Sequence, residues 1–454
     1  MDQQPLVQME AMRAPSGTHD VLWPDSRRWE HVLARFSAAA RIAGFGLAIT
    51  PLIEDVRLFQ RGIGQFSDVV SKEMYELTDR GGRRLALRPE GTAPVVRAFV
   101  QHRPALPWKA WYATPAFRYE RPQAGRYRQH HQVGVEALGT PDPDLDVEVI
   151  ALASGFYGEL GLHEVELICN SMGCATCRPA YVEALRSYLA SRADTLCPEH
   201  TTSFQASPLR VLDCKTEACR MATDAAPRLI DHLCQDCSAH FERVCSGLDE
   251  QGIAHRIEPR LVRGFDYYTR TTFEFVGLAL DSAQNAVGGG GRYDGLVEAL
   301  GGPPTPGIGF GIGIERLLLA CDAEGCFQQD ATQADVFVVD LVGGHAARSL
   351  VGELRAAGVP TARAYDQRSM KAQLKAADRS GAAIALIVGP QEEAAGAVAI
   401  RNLRSPRGSG EQDRVARENV LPAILEMAGT AGIVGLWGTA GVESVGGLDG
   451  EGVP

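Results

Sequence analysis

Residues 307–313 read Gly307, Ile308, Gly309, Phe310, Gly311, Ile312, Gly313, and this alternation restricts the fold more than any other stretch of the 454-residue chain. Side chains of a strand point alternately to its two faces, so such a strand carries bulky apolar groups on one side and bare backbone on the other. A naked face weakens a strand unless a planar ring or a closely packed helix covers it. The chain must build a sheet around this strand and set something flat or close against its glycines. Glu315 and Arg316 follow at a helix start, where backbone amides favour an anion beside the guanidinium. A second glycine run, Gly288 to Gly291, precedes Arg292, Tyr293, Asp294 and Gly295; it permits close approach of a ligand, or is simply a flexible turn.

The surrounding pattern supplies that sheet. A helix over 25–43, with Asp25 as N-cap and Gly44 as stop, precedes a strand over 45–56 interrupted by Pro51. Further strands are expected at 74–78, 84–88, 109–119, 128–138, 257–262 and 269–276, and helices at 92–102, 144–160 and 315–322. Residues 169–254 differ: they are helical in pattern and contain nine of the eleven cysteines. They read as an insertion in an otherwise antiparallel α/β unit. Beyond a polar linker, strands at 336–341, 361–364, 383–388 and 397–402 alternate with helices at 346–357, 370–380 and 415–428, which predicts a small domain around a mixed sheet. The glycine-rich end has no periodicity and is expected to be disordered.

No run of ~18 apolar residues is present, so no membrane span is expected. Residues 1–15 lack a basic segment followed by an apolar one, so the expected compartment is the cytoplasm. A net charge of −11 argues against nucleic-acid binding by the whole chain, but residues 335–430 carry 12 basic and 11 acidic groups. Only five of the 45 basic residues are lysine. Arginine is the forked donor for phosphate and carboxylate, although a GC-rich genome produces the same bias. There is no Gly-Lys dipeptide for a Walker loop and no Rossmann fingerprint. Any nucleotide must be held by arginine forks and bare backbone.

Several segments carry that chemistry. Residues 117–136 put Arg118, Arg121, Arg126 and Arg128 in one hairpin with Pro122 and Gly125 in its loop; their mutual repulsion points to an anion as partner. On the second strand Gln132, Gly134 and Glu136 share a face. Glu90 and Thr92 flank Gly91 just before a helix, where either could also be an ordinary N-cap. Arg263 leads Tyr267 and Tyr268 with Gly264 between; strand parity puts Arg263 and Tyr268 on opposite faces, so serving one pocket requires a turn near Gly264.

Taken together these segments resemble the class II aminoacyl-tRNA synthetases. The hairpin with Arg118 resembles that class's second motif, 311–316 its third, and the helix and strand reaching Pro51 its first, which builds a dimer interface. Residues 263–268 and 288–296 resemble the two signatures peculiar to histidyl-tRNA synthetases. The resemblance implies an α/β architecture (an α+β catalytic core): an antiparallel-sheet catalytic domain at 12–168 and 255–322, a helical cysteine-rich insertion at 169–254, a linker at 323–334, a mixed-sheet anticodon-binding domain at 335–430 and a tail at 431–454. It implies a homodimer that activates histidine with ATP and Mg2+ and charges tRNA(His). Arg118, Glu120, His130 and Arg316 would bind ATP, with His130 where the family usually stacks phenylalanine on adenine. Glu90, Thr92, Gln132, Glu136, Arg263, Tyr267 and Tyr268 would bind histidine. Arg263 and Arg118 would be catalytic, and Arg121, Gln123 and Arg128 would meet the tRNA acceptor end. The alternative is the regulatory subunit of ATP phosphoribosyltransferase, which resembles this core but lacks the tRNA-reading domain.

The cysteines have their own arithmetic. Cys174-x2-Cys177, Cys197-x2-His200, Cys214-x4-Cys219 and Cys234-x2-Cys237 supply ligands for two four-coordinate Zn2+ sites. The alternative is buried, reduced cysteines.

Overall fold

A computed structural model of the chain describes residues 11–64, 67–280, 285–328, 334–365, 368–404 and 412–431, which divide into two compact units parting after residue 328. The first unit contains strands β1 (Gly46–Leu47), β2 (Ile53–Asp55), β3 (Glu76–Thr78), β4 (Arg84–Leu87), β5 (Trp108–Phe117), β6 (Gln129–Leu138), β7 (Val165–Ser171), β8 (His255–Ile257), β9 (Thr269–Gly277), β10 (Ala286–Arg292) and β11 (Gly307–Gly313). Eight of them form one sheet in the order β1-β5-β6-β11-β10-β9-β7-β8. Neighbours run antiparallel except the edge pairs β1–β5 and β7–β8. Strands β2, β4 and β3 make a separate small sheet.

One face of the large sheet carries the core. Val133, Val135, Phe273, Phe275, Ile308, Phe310 and Ile312 cluster there with Phe36, Ile150, Phe156, Val244 and Leu317 from helices Asp25–Ile42, Pro143–Glu159, Gln235–Glu250 and Ile314–Glu324. The alternation at 307–313 thus puts its apolar set under helices and its glycines on the opposite face.

Several expectations need correction. The stretch 45–56 is two short strands in different sheets, because Pro51 lacks the N–H to continue one ladder. The Gly288–Gly291 run is no turn; it is the interior of β10, between β9 and β11. The strand expected at 257–262 ends at Ile257, and Pro259 and Gly264 lie in the irregular connection to β9. The insertion is narrower than 169–254: Cys169 belongs to β7, and helix Gln235–Glu250 sends Phe241, Val244 and Leu248 into the main core. Helix Ile314–Glu324 overruns the linker expected at 323–334, and Cys326 and Phe327 still pack on the core.

In the second unit, β12 (Val336–Asp340), β13 (Thr361–Arg363), β14 (Ile384–Val388), β15 (Ala397–Asn402) and β16 (Asp413–Ala416) form a mixed sheet in the order β13-β12-β14-β15-β16. The helix expected over 415–428 is strand β16 followed by helix Val420–Ala431; β16 is four residues long and gives little periodicity to read. The tail expected at 431–454 lies outside the described residues beyond Ala431.

Arg292 and Asp146, both fully buried, tie β10 to the first turn of helix Pro143–Glu159. The Arg292 fork reaches Asp146 Oδ2 at 2.6 Å and donates to the carbonyls of Thr140 (3.1 Å) and Asp142 (2.8 Å). His240 Nε2 lies 3.3 Å from the same carboxylate. Removing one partner of such a pair leaves a charge buried and uncompensated. Asp146→Ala is expected to destabilise the first unit by about 3–5 kcal/mol in urea unfolding. Asp144→Ala, which removes only the exposed pair with Arg243, should cost less than about 1 kcal/mol. Equal losses would contradict this role for Asp146.

Candidate functional site

The bare face of the sheet is a trough. Tyr112 on β5 pairs with Gly134 on β6, Gly134 with Gly311 on β11, Gly311 with Gly289 on β10, and Gly289 with Glu274 on β9. Three central strands therefore present glycine in one row, with Tyr112 and Glu274 as its ends. A Cβ at Gly134 would lie 2.4 Å from the Phe310 carbonyl, and one at Gly289 2.7 Å from that of Phe273. At Gly311 the nearest atom would be the Tyr112 hydroxyl at 3.6 Å, and at Gly313 there would be nothing within 4 Å. Packing accounts for the first two glycines and not for the last two. Above them lies a cleft of about 1510 Å³.

Arginines line this cleft. Arg118, Arg126, Arg263 and Arg316 all line it, although they come from three different segments. Arg118 Nε donates to the Pro89 carbonyl at 2.9 Å, and its guanidinium lies over the Phe265 ring at 5.6 Å. Arg263 meets Glu274 at 2.5 Å and lies over Tyr268 at 5.7 Å; the chain does turn at Gly264, which brings Arg263 and Tyr268 to one pocket. Arg316 Nη1 donates to the Ala286 carbonyl at 2.8 Å. Glu120 lies between Arg126 (3.2 Å) and Arg118 (3.9 Å), so it spaces two like charges that would otherwise repel. The His131 amide donates to Glu315 at 3.0 Å and its Nδ1 lies 2.9 Å from the same carboxylate, joining β6 to the helix that carries Arg316. His130, next in the chain, faces the cleft.

Buried carboxyls lie beside them. Glu90 accepts from the amides of Thr92 (2.6 Å) and Ala93 (2.8 Å), so it caps helix Thr92–His102 and lines the cleft at once. Glu136 is fully buried one layer beneath the lining; it accepts from the Thr92 hydroxyl at 2.7 Å and from the Tyr293 hydroxyl at 2.5 Å. Burial pushes the Glu136 carboxyl up to about 8, against the lowering pull of the two hydroxyls. Burial raises Glu90 as well, opposed by its two amide donors. Gln132, Thr92, Tyr267 and Tyr268 line the cleft with them, the two tyrosine rings 4.6 Å apart.

Of the residues singled out from sequence, Arg121, Gln123 and Arg128 stand outside the cleft. Arg121 and Gln123 are exposed on the hairpin loop, and Arg128 lies over the Tyr119 ring at 4.0 Å. Glu136 does not face the cavity directly, because Thr92 and Tyr293 hold both its oxygens. Sequence reasoning missed Tyr112 and Glu274, which have no motif of their own and act through cross-strand register and burial; Tyr293 is named in the 288–296 segment but given no role there. The eight cysteine-module ligands gather in two groups, Cys174 with Cys177, Cys234 and Cys237, and Cys197 with His200, Cys214 and Cys219, the ligand atoms of each within 4.8 Å of one another.

In the second unit Arg363, Tyr365, Arg368, Arg379 and Gln373 line a smaller hollow beside β12 and β13. Among the described residues no helix is long and apolar enough to cross a membrane.

Comparison with known proteins follows the same division. A family model described as histidyl-tRNA synthetase matches residues 17–317, and one described as an anticodon binding domain matches 335–427. A histidine–tRNA ligase of Desulforudis audaxviator is 48% identical over 412 residues, 90% of this chain and 97% of that protein. One of Moorella thermoacetica is 48% identical, covering 88% of this chain and 95% of the relative. The crystal structure of apo S. aureus histidyl-tRNA synthetase superposes with a TM-score of 0.75 at 34% identity, covering 91% of this chain and 99% of that one.

Burial first, and then the guanidiniums of Arg118 and Arg316 with His131, lower His130 from 6.5 to about 3. Between those values the unfolded chain binds a proton that the folded one refuses, so His130 erodes stability as pH falls below 6.5 and is neutral above it. Nitrogen-15 NMR of the ligand-free protein should find the His130 ring neutral from about pH 5 to 8; a titration midpoint near the ordinary histidine value would contradict this geometry.

Proposed function

The chain belongs to the histidyl-tRNA synthetase family, and from that premise we propose how the residues of the cleft divide the work. The reaction is that of a histidine–tRNA ligase: the histidine carboxylate attacks the α-phosphate of ATP, pyrophosphate leaves, and the histidyl group passes to the 3′ end of tRNA. The regulatory-subunit alternative is set aside, since these relatives are ligases and residues 335–427 match an anticodon-binding domain.

One observation carries the residue assignment. A single cleft over the glycine strip is lined by Arg118, Arg126, Arg263 and Arg316 and by Glu90, with Glu136 buried beneath its wall. A polyanion suits the arginines and an ammonium with a ring N–H suits the carboxyls. The ATP α-phosphate lies over Gly311 between Arg118 and Arg263, and Arg316 takes the far end of the triphosphate. His130, neutral and flat, stacks on adenine. Glu120 spaces the arginines. Glu90, Thr92 and Gln132 hold the amino acid's ammonium and carboxylate. Tyr267 and Tyr268 wall the ring, and Glu136 receives an imidazole N–H when a hydroxyl now bound to it gives way. A buried acceptor left empty rejects side chains that lack the donor, which is the basis of selectivity for histidine. Adenylation needs in-line positioning and neutral charge at phosphorus, and rigid forks provide both.

Mg2+ bridging the triphosphate would add further charge neutralisation. Zn2+ at each thiol cluster is structural in this reading. Residues 335–427 read the anticodon, and Arg121, Gln123 and Arg128 on the exposed hairpin meet the acceptor end. The working unit is a homodimer: Ile42, Leu47, Ile49, Leu52 and Ile53 are all exposed in the segment that resembles the class's first motif, an apolar run that needs covering.

Histidine-dependent exchange of pyrophosphate into ATP tests the assignment. Arg263→Ala should lower exchange about 10²–10³-fold, the scale of losing one oriented donor; unchanged exchange would refute its role. Gly311→Ala probes the floor separately. The variant should melt with the parent, because the added methyl clashes with nothing, while the KM for ATP rises at least roughly tenfold. An unaltered KM would remove the nucleotide from this strip.

A further inference from the structure

Both thiol clusters have the spacing of a metal cage. Cys174 Sγ lies 3.7 Å from the sulfurs of Cys177 and Cys234. Cys197 Sγ lies 3.9 Å from Cys214 Sγ and 3.2 Å from His200 Nδ1. Tetrahedral zinc with Zn–S bonds of about 2.3 Å sets its sulfurs about 3.8 Å apart. The backbone is shaped for it: Cys177 Sγ accepts from the Cys174 amide at 3.2 Å, and at Gly173 (φ +63) a Cβ would strike that sulfur at 2.9 Å. The module also needs a staple. Its helices Pro198–Ser203, Leu209–Leu212 and Glu217–Ala222 have six, four and six residues, well short of what stands alone in water.

The two clusters occupy different places. The one with Cys197, His200, Cys214 and Cys219 lies within the insertion. The other closes its root, joining the residues just after β7 to the start of helix Gln235–Glu250. Arg178, next to Cys177, donates from Nε to the Met172 carbonyl at 2.8 Å and from Nη2 to the Tyr268 carbonyl. Met172 and Gly173 are themselves bonded to Arg270, at the start of β9. The root cluster is thus one residue from a guanidinium that holds the backbone of Tyr268, a wall of the amino-acid end of the cleft.

We propose that the Cys174–Cys177–Cys234–Cys237 site binds Zn2+ and, through Arg178 as a positioning residue, sets the Tyr267–Tyr268 segment that receives histidine. Metal at the root is then linked to amino-acid affinity and not to ATP affinity. This rests on the histidine subsite proposed above, and the wild-type control separates the two: absence of histidine-dependent exchange in the wild type defeats that reading, whereas an active wild type leaves it standing and tests the linkage alone.

The test combines metal analysis of protein purified without chelator with KM values from pyrophosphate exchange. Wild type should hold two zinc ions per chain. Cys234→Ser should hold one and raise the KM for histidine about tenfold, the scale of one charge-assisted hydrogen bond, with the KM for ATP unchanged. Arg178→Met, which spares every thiol, should keep both ions and reproduce the histidine effect, and Arg178→Lys should restore part of it. Should Cys234→Ser fail to fold, Arg178→Met decides. Wild type without zinc, an unchanged KM for histidine in Arg178→Met, or parallel rises for histidine and ATP would each overturn the proposal.

Discussion

A row of glycines crossing β6, β11 and β10 removes side chains from the centre of an eight-stranded sheet, and the rest of the cleft is arranged around that gap. Sheets normally bury or solvate both faces with side chains; a bare strip lowers strand stability. Here the opposite face offsets the loss, since Ile308, Phe310 and Ile312 are almost wholly buried under helices. With no side chain at Gly311, a ligand can lie against the backbone itself, and groups on either side of the strip reach it from above. The arginines come from the hairpin, the loop before β9 and the helix after β11, so the sheet's register fixes their convergence.

Charge of both signs lines this strip. The arginines repel one another, moderated by Glu120 and Glu274, and are satisfied by a polyanion. The carboxyls are the reverse case: burial makes ionisation of Glu136 and Glu90 costly, and hydroxyl and amide donors offset part of that cost. A ligand bringing positive charge or an N–H to the carboxyls, and negative charge to the arginines, satisfies both at once. Histidine and ATP together have that distribution.

Much of this was legible in the sequence because the informative features are local. The alternation at 307–313, the arginine hairpin and the cysteine spacings each fix a strand, a turn or a ligand pair within a few residues. What escaped depends on partners far apart in the chain. Tyr112 and Glu274 matter because of what lies opposite them, and Tyr293, though named in its segment, has a role only through Glu136. The Gly288–Gly291 run in isolation reads as a place of close ligand approach or a flexible turn, and becomes a central strand only because β9 and β11 flank it. The depth of Glu136 was equally invisible: strand parity assigns it to the right face, but Thr92 and Tyr293, 44 and 157 residues away, put it beneath the cavity wall. The grouping of four ligand pairs, seven cysteines and His200, into two clusters is likewise a product of the fold, since the root cluster encloses the other in sequence.

The central claim is that guanidiniums from separate segments meet over Gly311 on a single phosphate. A crystal structure with a non-hydrolysable histidyl-adenylate analogue tests it most directly. The account predicts the phosphate mimic within hydrogen-bonding reach of both Arg118 and Arg263, adenine against His130 and the imidazole toward Glu136. An analogue bound with its phosphate mimic beyond reach of either arginine, or seated away from the glycine strip, would contradict it.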